Sequence, residues 1–346
     1  MAISNEILSS TLRVLAEREV DNLYKNVPFL NEVRNSGGVE VIDGGSKIDR
    51  ALILAEHSSI TQLSSGYEAV NLAVSDALKN ASYEFCDFVA PIVITKKEEL
   101  SNRGERAIIS IVEARMKSVM GMLQREFEKQ IVANSSTVLT ELNTLNGAAG
   151  LAGGLNISGS GTGFLEADAF GSQGNTVGGL SKATYNTFNN QFKNSTAGGG
   201  SPTFSANAIA DMTEMYIECQ NNSPMGVPNL ILSSPTAYKN YKQVLFANER
   251  YMPEDTLDGG KLALAFASAK MYVDPFLPVT NGPNSVSIYM LNTEFMKLVI
   301  DSDANFTVSD FEHISGYASR AAHIMCRCQL ITDHLASHAL IVNAET

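Results

Sequence analysis

LSNRGERAIISIVEARMKSVMGMLQREFEKQIVAN, residues 100–134, decides how the rest of the chain is read. Ile108, Val112, Met116, Val119, Met120, Leu123, Phe127 and Ile131 recur at steps of three and four. That spacing places one apolar stripe along an α-helix. Ser101 is a candidate cap, and Glu105 lies in the first turn, where the helix dipole favours an acid. No proline interrupts the run. At about 1.5 Å per residue such a helix spans roughly 45 Å, about three times the mean globular helix. A helix of this length is a girder, and its flanks say what it carries.

Upstream, residues 1–27 read as a helix with Ile7, Leu8, Leu12, Leu15 and Leu23 on one side, ended at Val27-Pro28. A terminal arm of this kind needs a surface to dock on. From Gly38 to Thr95 the pattern turns to strands. Val39, Val41, Ile48, Leu52 and Leu54 come first, with a turn at Asp43-Gly44-Gly45. A polar stretch follows from His57 to Tyr67, then strand-rich runs over Val70–Leu78 and Tyr83–Ile94. This ribbon holds too little apolar surface for a core of its own, and an isolated two-stranded ribbon is marginal in water. The expectation is that it lies on a neighbouring subunit.

Downstream, NGAAGLAGGLNISGSGTG over residues 146–163 is a turn-rich connector. Gly159-Ser-Gly161-Thr-Gly163 and Gly198-Gly199-Gly200 lack a following Lys-Ser/Thr and do not make a phosphate loop. From Asp168 the chain reads as mixed α/β. Ser205–Gln220 is a helix, Asn229–Ser233 a buried strand, and Ser234-Pro235 a helix start carrying Tyr238, Tyr241 and Leu245. Leu262–Ala269 is read as a helix. Lys270–Val273, Ser285–Leu291, Met296–Ile300 and Ala322–Asn343 are read as strands.

The 346 residues exceed what one core usually holds, so two lobes are expected. Charged residues make up only 18%, below the roughly 25% of an average soluble chain. A surface so poor in charge suits burial against other subunits. The net charge of −12 argues against gripping nucleic acid through its phosphates. Cys86, Cys219, Cys326 and Cys328 form no disulfide framework and are read as buried thiols. Neither a secretion signal nor a spanning segment is legible, so a cytoplasm-like compartment is expected.

Chemistry is sparse. Asp301, Asp303, Asn305 and Glu312 match positions one, three, five and twelve of a calcium loop, but Phe306 stands where glycine is needed. A solvated turn is the preferred reading. His334 and His338 sit in an alternating, strand-like run, where residues four apart are about 13 Å distant. They are read as structural. With no nucleophile elbow or catalytic constellation, neither an enzyme nor a cofactor is expected.

The order of elements resembles the major capsid proteins of tailed phages, with the Hong Kong 97-like shell fold. Val177-Gly-Gly-Leu180 with Ala183-Thr-Tyr185, Phe188, Asn190 and Gln191 is similar to that family's entry to its axial domain. Pro228-Asn-Leu-Ile-Leu-Ser-Ser-Pro235 is similar to its central strand–helix step. Asp274-Pro-Phe-Leu-Pro278, Tyr289-Met-Leu-Asn292 and Phe295 are similar to its return strands. The resemblance implies an α+β fold with an N-terminal arm (1–37) and an extended loop (38–93). A peripheral domain (94–165 and 286–324) would carry the spine helix at 100–134, and an axial domain would take 166–285 and 325–346. It implies a subunit that self-assembles into hexamers and pentamers of an icosahedral head enclosing double-stranded DNA without specific binding. The apolar spine positions Ile108, Val112, Met116, Leu123 and Phe127 and the loop Ser58–Ser75 would serve assembly, with the spine packed on the return strands near Met296–Ile300. Because the arm begins at Met1, scaffolding is expected from a separate protein, alongside a portal and decoration proteins. The capsid of a virion, assembled in the host cytoplasm, is the expected location. An encapsulin shell of the same fold is the alternative, and an α/β enzyme with an unrecognised site stands behind it.

Overall fold

Pro28 opens a helix rather than ending one: its missing N–H and preset φ suit the first helical position, and α1 runs Pro28–Asn35. The computed structural model describes residues 27–55, 77–101, 105–133, 176–182, 184–195, 204–223, 226–247, 255–256, 262–277 and 286–342, with single positions 62, 64, 66 and 344. The expected arm helix before Val27, the connector at 146–163 and the glycine string at 198–200 lie outside the described residues. So does the loop Ser58–Ser75, apart from Gln62, Ser64 and Gly66.

After α1 come β1 (Val39–Ile42), β2 (Lys47–Ile53), β3 (Leu78–Glu84) and β4 (Cys86–Thr95). Two helices follow, α2 (Lys96–Ser101) and α3 (Glu105–Ala133). The second half holds β5 (Thr176–Val177), β6 (Leu180–Ser181), β7 (Gln191–Asn194), α4 (Phe204–Asn222), β8 (Leu230–Ser233) and α5 (Pro235–Ala247). It continues with β9 (Asp255–Thr256), β10 (Leu262–Phe266), β11 (Ala269–Val273), β12 (Val286–Leu291) and β13 (Met296–Asp301). It closes with β14 (Thr307–Val308), β15 (Glu312–His313), β16 (Ser319–Thr332) and β17 (Ala339–Val342).

A six-stranded sheet is organised by β16. One side of β16 pairs antiparallel with β4 from Ser319↔Thr95 to Cys328↔Cys86. The other side takes β15, β14 and β13 in turn, and β1 runs parallel beyond β13. Along β16, Ala322, Ile324, Cys326, Cys328 and Leu330 are buried at every second position, the period of a strand with one covered face. The long helix α3 covers that face. Leu123 packs with Ile92 and Ile324, and the Phe127 ring meets Phe88 edge-on at 4.4 Å. The helix therefore leans chiefly on β4 and β16; β13, with Met296 and Val299, joins the same core further along.

The second sheet has seven strands in the order β7-β17-β12-β8-β11-β10-β9. Its central strands are buried on both faces, so β8 and β17 read as unbroken apolar runs. Ile231, Met271, Met290 and Ile341 pack under α4 and α5 with Phe204, Met212 and Tyr241. Their neighbours Leu230, Leu232, Tyr289 and Leu340 face the other way, toward Phe29, Phe127 and Ile131. One core thus joins the two sheets.

Several expectations need correction. Leu262–Ala269 is not helical: Leu-Ala-Leu-Ala-Phe is strand β10, turned at Ala267 into β11. Apolar residues at both parities hid the two-residue period, which the described side chains show as buried Leu264 and Phe266 with Ala265 half-buried between them. Ser101 does not cap the long helix; it closes the short helix α2. The alternation from Ala322 to Asn343 is also broken, by a 3-10 turn at Leu335–Ser337 between β16 and β17. Further, β16 runs without a break past position 324 in the six-stranded sheet, while β12 at 286–291 belongs to the seven-stranded one.

Candidate assembly surfaces

The start of the helical segment is built by Thr95 and Glu98. The Thr95 Oγ1 accepts the Glu98 N–H at 3.4 Å, and Glu98 Oε2 accepts the Thr95 N–H at 3.0 Å. This is a capping box, legible as T-x-x-E in the sequence but passed over there. The Arg115 guanidinium bonds Glu98 and the Val93 carbonyl, tying α3 back to α2 and β4. Those hydrogen bonds hold the Glu98 carboxyl below its ordinary range. Of the expected spine positions, Leu123 and Phe127 are buried and Met116 is half-buried against the sheet. The side chains of Ile108 and Val112 lie outside the described residues.

The ribbon of β2 and β3 pairs antiparallel from Lys47↔Glu84 to Ile53↔Leu78. Its root is seated on its own chain, which corrects the expectation that it lacks a core. Ile48, Leu52, Leu54, Ala81 and Tyr83 join the common core. The Tyr83 hydroxyl donates to the Thr332 carbonyl at 3.1 Å, and burial raises its pKa. The turn between β5 and β6 receives the ribbon: Ser82 N–H donates to the Gly178 carbonyl at 2.8 Å. A charge network of Arg50 with Glu40 and Asp333, and Lys297 with both, ties the root to β1 and β13. Only the outer end presents apolar side chains to solvent, Ile53 (77% exposed) opposite Leu78 (62%).

A second apolar surface lies on the six-stranded sheet, on the face away from α3. Val89 of β4 stands opposite Met325 of β16, with Val93 four residues along on the same face. Val89 is 53% and Met325 46% exposed. Large side chains in such a row on a sheet face mark a contact surface more often than a bare one.

The chemical candidates have partners within the fold. Asp301 ends β13; its Oδ1 accepts the Asp303 N–H at 3.1 Å and its Oδ2 the Arg327 guanidinium at 3.4 Å. Glu312 sits on β15 opposite Ala321. Asn305 is exposed, and Phe306 takes the left-handed φ of 51°. Among the described residues no group of three or more His, Cys, Asp or Glu is placed to hold a metal ion. His338 is fully buried; its Nδ1 accepts the Asn292 N–H at 3.1 Å and its Nε2 lies 3.3 Å from Thr332 Oγ1. Burial lowers its pKa to about 3. His334 packs beside Phe295. Cys86, Cys326 and Cys328 share the covered face of β4 and β16. Burial raises the Cys86 thiol to about 11, while the Cys328 thiol and the Phe306 N–H favour the Cys326 thiolate. No helix of the described residues is long and apolar enough to cross a membrane.

Two sheets sharing a core, a long helix across one, a strand ribbon projecting from their junction and two exposed apolar surfaces form a pattern that can be compared as a whole. Solved structures match it over nearly its full length. A chain of the cyanophage A-1(L) capsid asymmetric unit superposes with a TM-score of 0.62, covering 94% of this chain and 95% of its own, at 13% identity. The fold is that of tailed-phage capsid subunits. A chain from the capsid of the empty GTA particle gives 0.57 over 94% of this chain and 92% of its own, at 10% identity. The SrpI encapsulin complex of Synechococcus elongatus PCC 7942 gives 0.51 over 96% and 94%, at 9% identity. By sequence, no family model and no curated protein matches the chain. The likeness is carried by the arrangement of elements, which is also where the sequence reading found it.

Proposed function

We propose that this chain is the major capsid protein of a tailed phage, a structural subunit that self-assembles into an icosahedral head of hexamers and pentamers around double-stranded DNA. The observation that supports this reading is the match to the cyanophage capsid chain over 94% of this chain and 95% of its own. The surfaces agree with it. The low charge content and net charge of −12 suit a wall that packs against copies of itself and encloses DNA without gripping it.

On this reading residues 1–37 are the arm and 38–93 the extended loop, with Ser58–Ser75 reaching a neighbouring subunit. The peripheral domain is best drawn around the six-stranded sheet and α3, and the axial domain around the seven-stranded sheet with α4 and α5. Position 324 then ceases to be a boundary, because β16 crosses it intact. Separate scaffolding, portal and decoration proteins are the partners to look for, in a virion assembled in the host cytoplasm. The encapsulin match keeps a second reading open, a compartment shell of the same fold.

Electron microscopy of particles purified from a producing culture tests the proposal, together with a nuclease-protection assay of their contents. Icosahedral shells holding protected DNA are the expected result. Shells holding an enzyme in place of DNA decide for the compartment, and a stable monomer that forms no shell under any condition overturns both.

A further inference from the structure

The buried end of α3 carries an acid. Glu128 is fully buried, and its carboxyl caps α1 from a hundred residues away: Oε1 accepts the Phe29 N–H at 2.8 Å and Oε2 the Leu30 N–H at 3.0 Å. These first-turn amides have no partner within their helix, and Val27 at the cap position offers no side-chain bond. Against the same carboxyl lies a second one, Asp274, which follows β11 and is also fully buried. Asp274 Oδ1 accepts the Phe276 N–H at 2.8 Å, and among the described residues its Oδ2 has no donor. Two carboxylates only accept, so they cannot bond each other; one proton between them turns the contact into an O–H···O bond and satisfies Oδ2.

We propose that Glu128 and Asp274 form a proton-held latch joining α1, α3 and the end of β11, and that losing this proton frees α1. The three segments belong to different parts of the fold: α3 lies on the six-stranded sheet, β11 is within the seven-stranded one, and α1 leads in from the amino-terminal side. Burial and then the neighbouring carboxyl raise Glu128 well above its ordinary range against the pull of the two backbone amides; burial raises Asp274 to about 6. Of the other charged groups on these elements, Glu32 of α1 accepts the Tyr272 hydroxyl of β11, and Lys129 of α3 pairs with Glu126 at the surface. Arg34 and Lys270 are exposed, and Arg125 is half-buried.

The sign follows from linkage. The folded pair holds its proton where an unfolded chain, with carboxyls near 4, has lost it. Its contribution is complete below about pH 4 and is lost as pH rises through the folded values. Across that window each pH unit multiplies the opening of α1 by up to about tenfold, one proton being released.

Hydrogen–deuterium exchange of the full chain, read on the peptide covering 27–35 from pH 5 to 8.5 and corrected for intrinsic rate, tests this. In the wild type protection should fall at least tenfold with rising pH. In Glu128→Gln, whose amide keeps one acceptor for α1 and donates to Asp274, it should stay within twofold. Asp274→Asn places the donor on the other side of the contact and should flatten the profile too, which covers a Glu128→Gln chain that does not fold. A flat wild-type profile, or variants whose protection falls in parallel with the wild type, overturns the latch.

Discussion

Gly178 occupies a position that no other residue fits. Its φ of 56° is left-handed, and a Cβ there would meet the Ala81 Cβ at 2.9 Å. This is the contact that seats the ribbon on the β5–β6 turn. Gly178→Ala adds backbone strain to overpacking, and the expected loss is about 2–4 kcal/mol, read from the urea midpoint. His338 sets an acid limit of the opposite sign to the carboxyl latch. Its folded pKa is depressed, so the unfolded chain binds the extra proton, and stability is lost as pH falls from about 6.5 toward 3. The slope is up to about 1.4 kcal/mol per pH unit. In His338→Gln the fall in urea midpoint between pH 6.5 and 4.5 should be visibly shallower, whatever the variant costs at neutral pH.

At the scale of elements, the long helix was legible because its stripe is a local repeat, and α4 and α5 were legible for the same reason, while β8 stood out as a short unbroken apolar run. The start of the helical segment was misplaced because two signals competed. Ser101 is followed by Glu105 and a clear stripe, whereas Thr95-Lys-Lys-Glu98 precedes a short helix with no stripe of its own. The capping box holds the second. Thr95→Ala removes the Oγ1 acceptor of the Glu98 N–H and the Oγ1 bond to Glu98 Oε2, keeps the backbone N–H bond to that carboxylate, and should cost about 1 kcal/mol by thermal or chemical melting, with α3 retained by circular dichroism. Strand β10 was missed because Leu, Ala and Phe are apolar at both parities; periodicity cannot separate helix from strand when a short run is apolar throughout.

Over the whole molecule, the ribbon divides into a root and an outer end. Ile48, Leu52, Ala81 and Tyr83 bind the root to its own subunit, so the root needs no neighbour to fold. The exposed Ile53 and Leu78 lie at the end from which the chain continues into Ser58–Ser75. Deleting Ser58–Ser75 should therefore leave a folded, soluble subunit that fails to make stable shells, checked by circular dichroism and electron microscopy. Normal shells from the deleted chain would remove that segment from the assembly scheme.

By itself the sequence determined the long helix, the fully buried strands, the poor charge content and the order of elements, because each is a property of neighbouring residues or of composition. The order of elements alone carries the resemblance to tailed-phage shell proteins. Only the tertiary structure decided that the ribbon root has a core, that β16 spans the supposed domain boundary and that Glu128 is buried. In the helical repeat Glu128 stands beside Phe127 as an ordinary polar position, and nothing local distinguishes it from Glu126. Its role appears only when residues 29, 128 and 274 meet, because desolvation of a carboxyl depends on what the fold brings around it and not on what lies next to it in the chain.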